Sequence, residues 1–195
     1  MRSRILLAAA EEIERKGYLG MTFSSVAGAA QLQKSHVQYY FPAKAAVVQA
    51  IMSEVFHGGR YLGGTSPEGH RGLRAIAVQN QKVTRTSIES PLARAALRIL
   101  DERSTLPFEV PTPYQGWIER VSVHLEEAVE DGEIPRPELS VDDCARLIVS
   151  AAHGVKHVAF QLGTTDSLPH LADEMLVQQF TSLGAREPHQ YFVGE

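Results

Sequence analysis

Cysteine is almost absent: Cys144 is the only one in 195 residues. A single thiol cannot close an intrachain disulfide or build a cysteine zinc cluster, and it fits a reducing cytosol. Long apolar runs are missing too. No stretch approaches the roughly 18 uncharged residues of a membrane span. The run from Ile5 to Ala10 is followed at once by Glu11, Glu12 and Glu14, too soon for a signal peptide core. A soluble, cytoplasmic protein with no membrane association is therefore expected. The motifs of catalysis are lacking as well. No Ser-His-Asp order sits on a nucleophile elbow, and no HExxH is present. The pairs Gly58-Gly59 and Gly63-Gly64 have neither the following Lys-Ser/Thr nor the preceding strand that cradles phosphate. The chain is expected not to be an enzyme and to need no cofactor. Finally, basic charge is not in excess: 19 basic against 23 acidic side chains give a net charge of −4. That sign argues against nucleic acid, whose affinity comes largely from neutralised phosphates.

What is present is helical periodicity. Ile5, Leu6, Ala9 and Ile13 form one stripe, and Lys16-Gly17 reads as its stop. Thr22 can cap a short second helix through Ala30, and a third runs from about Lys34 to Phe41 and halts at Pro42. A fourth carries Val47, Val48, Ile51, Met52, Val55 and Phe56 at spacings of three and four. The glycine-rich stretch Gly58–Pro67 is the clearest break in composition. Beyond it, helices are expected at about 70–88, 91–104, 114–131, 141–161 and 168–183. Ser140 and Asp143 resemble a capping box, and Gly132 and Gly184 stand where helices end. No run alternates like a strand. The fold class is all-α with about nine helices, an N-terminal three-helix helix-turn-helix domain over 1–57 joined to a larger helical domain over 58–195.

Divided at that break, the charge changes meaning. Residues 1–57 hold six basic side chains (Arg2, Arg4, Arg15, Lys16, Lys34, Lys44) and four acidic ones, a net of +2. The remainder holds 13 basic and 19 acidic, a net of −6. A mildly basic head is hidden in an acidic average. In that head, two short helices joined by a tight turn make a helix-turn-helix candidate. Phe23, Val26 and Ala30 point inward from the first, and Val37 and Phe41 anchor the second at i and i+4. Lys34, Ser35, His36 and Gln38 are then left outward near the start of a recognition helix, where base edges and phosphates are met. The hydroxyls of Tyr39 and Tyr40 can reach phosphate oxygens, and Lys44 adds a contact at the next helix.

Residues 3–57 resemble the DNA-binding domain of TetR-family transcriptional repressors. The matching run is Ala10-Glu11-Glu12, Lys16-Gly17-Tyr18, Met21-Thr22-Phe23-Ser24, Val26-Ala27 and Ala30, then Lys34 and Tyr39-Tyr40-Phe41-Pro42-Ala43-Lys44. The resemblance adds Thr22 and Ser24 to the DNA-contacting candidates. Gln31 stands where the family commonly has a turn glycine, and Gln33 where it has a Ser or Thr cap. Pro91–Arg98, Pro113–Trp117 and Val141–Ala145 with Leu147–Ser150 look like the γ-butyrolactone autoregulator receptors, a subgroup that controls antibiotic production in filamentous actinobacteria. This likeness implies a ligand-binding and dimerisation domain over 58–195. It further implies a small lactone, furan or butenolide ligand that releases a repressor from DNA. Trp117 falls on the tryptophan that the subgroup places against its ligand.

Gln79, Val83, Val149 and His153 complete the ligand-binding candidates; Gln79 and Val83, at helical spacing, are singly better read as core, whereas His153 is better read as facing a pocket than as a metal ligand. The last two helices carry Ile148, Ala151, Ala152, Val155 and Val158, and Leu171, Met175, Leu176, Phe180 and Leu183, more apolar surface than one small domain needs. In TetR-like proteins this pair packs against the same pair of a second subunit. Two recognition helices then lie about one DNA turn (roughly 34 Å) apart, which implies a double-stranded, pseudo-palindromic operator. Two alternatives stay open: a TetR-like regulator of another hydrophobic ligand, or a helical metal-dependent protein using His153 and His157 at the i, i+4 spacing. No third ligand stands in step in the sequence, so no metal site is expected.

Overall fold

A computed structural model describes residues 1–57 and 69–192. The joint expected at Gly58–Pro67 lies outside the described residues. Among those residues the regular structure is helical: α1 (Arg2–Gly20), α2 (Phe23–Ala29), α3 (Lys34–Tyr40), α4 (Lys44–Phe56), α5 (Gly72–Glu89), α6 (Pro91–Asp101), α7 (Tyr114–Glu130), α8 (Val141–Leu162) and α9 (Leu168–Ser182), with short 3-10 turns. Contacts divide the chain into two compact units, one of Met1–Gly64 with Thr86–Thr112, the other of Thr65–Arg85 with Pro113–Glu195. The expected segments 1–57 and 58–195 do not coincide with this division, because α6 packs with α1 and α4. The reason is steric. Ala93, Ala96 and Ile99 of α6 are buried, as are Ala8, Ala9 and Ala10 of α1, and small side chains let two helices approach closely. Spacing alone could not say which helix α6 would choose.

In the first unit the expected stripe of Ile5, Leu6, Ala9 and Ile13 is buried. Polar clasps add to the packing of α1 with α6. Arg94 Nε donates to Glu14 Oε1 at 2.7 Å, and Arg98 Nη1 to the Glu14 carbonyl at 2.5 Å. The stop signal at Gly17 marks a kink, after which α1 continues to Gly20. Gly17 adopts φ 72° and ψ 176°, a conformation open to glycine at little cost. The Tyr18 amide, turned out of the helix ladder, donates to Glu102 Oε2 at 2.9 Å. A Cβ at Gly17 would sit 2.5 Å from Glu102 Oε1, so the carboxylate occupies the space that glycine leaves.

The turn between α2 and α3 is built just as locally. Thr22 and Ser25 form a reciprocal capping box at the start of α2. At its end, Leu32 N donates to Ala27 O at 2.8 Å and Gln31 N to Gly28 O at 3.0 Å. These are the two bonds of a Schellman motif, with Gln31 in the position usually taken by glycine. Gln31 has φ 52°, so the departure noted in the sequence is a side chain forced into left-handed backbone. The Arg4 guanidinium donates to the Ala30 carbonyl and, at 3.4 Å, to that of Gln31, covering orphan carbonyls at the helix end.

The second unit packs α7 on α8 and α8 on α9, around Leu73, Ile76, Leu125, Ile148, Leu176 and Phe180. Carboxylates from beyond α5 cap that helix. Gly72 N donates to Glu127 Oε2 at 3.0 Å and Leu73 N to Glu133 Oε2 at 2.8 Å, which places negative charge at a positive helix end. Ser140 caps α8 as expected, accepting from Asp143 N at 3.1 Å and donating to Asp143 Oδ2 at 2.6 Å.

Candidate DNA-binding face and sensor site

In the first unit, Val37 and Phe41 are buried and fix the rotation of α3. Its other face therefore presents Lys34, Ser35, His36, Gln38, Tyr39 and Tyr40, all exposed, with Thr22 and Ser24 exposed at the start of α2. Tyr39 is 82% exposed, and its ring meets Tyr40 edge to face at 5.3 Å. Two aromatic rings held side by side in water are dry-surface material without a partner. Gln33 gives α3 no side-chain cap, so the first amides of α3 have no side-chain acceptor there.

The cations of this segment are less available than their count suggests. Arg15 and Lys16 pair with Glu12, Arg4 caps α2, and the Arg2 guanidinium lies 5.4 Å over the Phe41 ring. Lys44 is half-buried, with its ammonium 4.5 Å over the Tyr18 ring and donating to the Leu19 carbonyl at 3.3 Å. Burial lowers its pKa below the ordinary lysine value. Among the described residues of this segment, Lys34 is the one basic side chain with no ion pair, hydrogen bond or ring contact.

In the second unit, α7 and α8 bring four rings together. Trp117 is partly buried against the core and meets Tyr114 edge to face at 5.5 Å. The Tyr114 hydroxyl and His153 Nδ1 share a hydrogen bond of 3.1 Å. His153 in turn stacks on His157 at 6.0 Å. Two sequence candidates, Trp117 and His153, are thus linked through Tyr114, which sequence reasoning passed over although it precedes Trp117 by one helical turn. Val149 is buried in the core against which Trp117 packs. Gln79 and Val83 are half-buried on α5. Their neighbour Asn80 reaches the interior: its Nδ2 donates to the Ala172 carbonyl of α9 at 3.3 Å, and its Oδ1 accepts from Lys156 Nζ at 3.3 Å. Asn80 and Lys156 were also missed. The signal for Lys156 was a lone lysine on the apolar face of α8.

The surplus apolar surface of α8 and α9 is real but composed differently from expectation. Ile148, Leu176 and Phe180 fill the chain's own core. What remains exposed is Leu147, Val158 and Leu162 on α8 and Leu171 on α9, with Leu162 at 70%. Residues 147, 151, 155, 158 and 162 fall on one face at helical spacing.

Comparison with known proteins settles the class. The pattern of bacterial regulatory proteins of the tetR family matches residues 5–51, and that of the tetracyclin repressor-like C-terminal domain matches residues 70–180. The chain belongs to the TetR family. It is 27% identical over 155 residues to the A-factor receptor protein of Streptomyces griseus, covering 80% of this chain and 53% of that protein. The chain thus spans about half the length of this curated relative. A solved structure described as the molecular basis for control of antibiotic production by a bacterial hormone is 26% identical, with 93% of this chain and 96% of that one covered and a TM-score of 0.78. CprB from Streptomyces coelicolor, 23% identical over 98% of this chain and 93% of its own with a TM-score of 0.80, shares the fold. The family and these relatives are regulators rather than enzymes. No described helix of this TetR-family chain is long and apolar enough to cross a membrane.

Proposed function

We propose that the protein is a homodimeric transcriptional repressor which a small hydrophobic signal, of lactone, furan or butenolide type, releases from a pseudo-palindromic operator controlling secondary-metabolite genes. Residues 1–57 read DNA, and residues 58–195 sense the ligand and dimerise through the exposed stripe of α8 and α9, in the cytoplasm and without a cofactor or catalysis. The observation that carries this reading is the outward face of α3. Thr22, Ser24, Lys34, Tyr39, Tyr40 and Lys44 contact phosphates, while Ser35, His36 and Gln38 meet base edges. In the sensor, Trp117 and His153 touch the ligand, and Gln79, Val83 and Val149 line its apolar surroundings. Kinship to the A-factor receptor protein and to a structure concerned with hormone control of antibiotic production supports the ligand class.

Release is a population shift between two packings of the sensor. Ligand moves it only by differential affinity, and about 5.5 kcal/mol converts 1:99 into 99:1. Footprinting on DNA upstream of the protein's own gene, with and without γ-butyrolactone, tests the whole. Tyr39→Ala is expected to weaken protection everywhere, and His36→Ala or Gln38→Ala to blur its sequence preference. Trp117→Ala is expected to keep protection but lose release. Unaltered footprints for all the α3 variants overturn the recognition-helix assignment.

A further inference from the structure

Lys156 sits inside the second unit, 5% exposed. Its ammonium has three N–H donors and two acceptors among the described residues: Asn80 Oδ1 at 3.3 Å and the Ala152 carbonyl of its own helix at 3.1 Å. Both acceptors are neutral, and no described carboxylate lies within ion-pair distance. Asn80 is itself pinned, because its amide donates to the Ala172 carbonyl at 3.3 Å. Burial lowers the lysine to about 8, so near neutral pH the group still carries its charge. A core built for stability alone would place a methionine or leucine here, since a buried charge without a counter-charge is costly. The position is also telling. Residues 149, 153 and 156 are four and seven apart on α8, within about 60° of one face. Lys156 therefore continues the line of Val149 and His153 by one turn.

We propose that Lys156 anchors a carboxylate head group of the sensed ligand, whose apolar part lies towards Trp117, Tyr114 and His153. The inference rests on the ligand-sensing reading given above and narrows its chemistry. A carboxylate supplies both what the ammonium lacks, a third acceptor and a counter-charge, in surroundings where a charge-assisted bond is strong. A neutral lactone carbonyl supplies only the acceptor. Because Lys156 holds α5 through Asn80, and Asn80 holds α9, an anion that draws the ammonium towards itself acts directly on the junction of α5, α8 and α9.

Trp117 is the only tryptophan in the chain, so its fluorescence reports binding in the full-length protein without a label. Octanoate and γ-octalactone, equal in carbon count, are the probes. The wild type is expected to bind octanoate at least about tenfold more tightly, a difference of about 1.4 kcal/mol. Lys156→Met is expected to erase that preference by weakening octanoate more than the lactone, and Lys156→Gln, which keeps a hydrogen bond but no charge, to erase it too. A preference that survives in both variants, or a wild type that binds the lactone as tightly as octanoate, overturns the assignment of Lys156 and leaves the sensor standing. Failure of both probes to alter Trp117 emission removes the Lys156 assignment and counts against the sensor reading itself.

Discussion

Replacing Lys156 by methionine is expected to make the protein more stable at neutral pH. The two side chains have similar length, so the change removes a charge without opening a large cavity. The lysine falls from 10.5 to about 8 through burial. At about 1.4 kcal/mol per pH unit, keeping it charged in the core at pH 7 costs about 3 kcal/mol. The methionine forfeits the bonds to Asn80 and Ala152 and leaves Asn80 Oδ1 short of a donor, which takes back about 1–2 kcal/mol. A net gain of about 1–2 kcal/mol remains, or roughly 3–6 °C in melting temperature for a chain of this size.

The pH dependence of that gain provides the sharper check. The folded lysine gives up its proton more readily than the unfolded one, so between about 8 and 10.5 the unfolded state binds more protons. Wild-type stability must then rise with pH across that window. Cys144 works in the opposite sense, since burial and the neighbouring Asp143 raise its pKa, and so do Tyr18 and Tyr191 at higher pH. Those groups are common to both proteins, and the difference between them isolates Lys156. Urea denaturation at pH 7 and pH 9.5 is expected to show the variant's advantage shrinking by about 2 kcal/mol. A variant less stable at pH 7, or a gap indifferent to pH, would refute the claim that a buried, uncompensated charge is held there.

Further outcomes concern the first unit. Gln31→Gly should raise stability by about 1 kcal/mol, because the left-handed turn penalises a side chain more than glycine's unfolded-state entropy penalises the glycine; a lower melting temperature would show that the turn is unstrained. Gly17→Ala should destabilise by about 2 kcal/mol or more through positive φ and the clash with Glu102, and Glu102→Ala by about 1–3 kcal/mol through the orphaned Tyr18 amide, both read by thermal melting. Lys34→Ala should weaken binding to every DNA sequence and reduce the slope of log affinity against log salt by about one with no loss of stability. Lys44→Ala should lower stability and DNA affinity together, because that ammonium also holds Leu19 and Tyr18.

Helix existence was legible wherever a signal is local. Pro42, Ser140 and the prolines around α7 bracket elements within a residue or two, since capping and φ restriction act over one turn. What was not legible involves a partner distant in sequence. Gly17 carries a genuine stop signal, yet α1 runs past it because Glu102, 84 positions from Tyr18, accepts the freed amide. The apolar stripes of α8 and α9 were visible, but which of their residues serve the chain's own core, as Ile148, Leu176 and Phe180 do, depended on α5 and α7. The charge count shows the same limit from the other side. A net of +2 in residues 1–57 has the right sign for DNA, but most of those cations are committed to Glu12, to the end of α2 or to aromatic rings. On the proposed DNA-binding face, affinity for phosphate is then expected to lean on hydroxyls, helix-end amides and Lys34, with Lys44 already partly engaged. A shallow salt dependence follows, and titrating operator binding against salt distinguishes it from the steep one that a bare count of lysines and arginines implies.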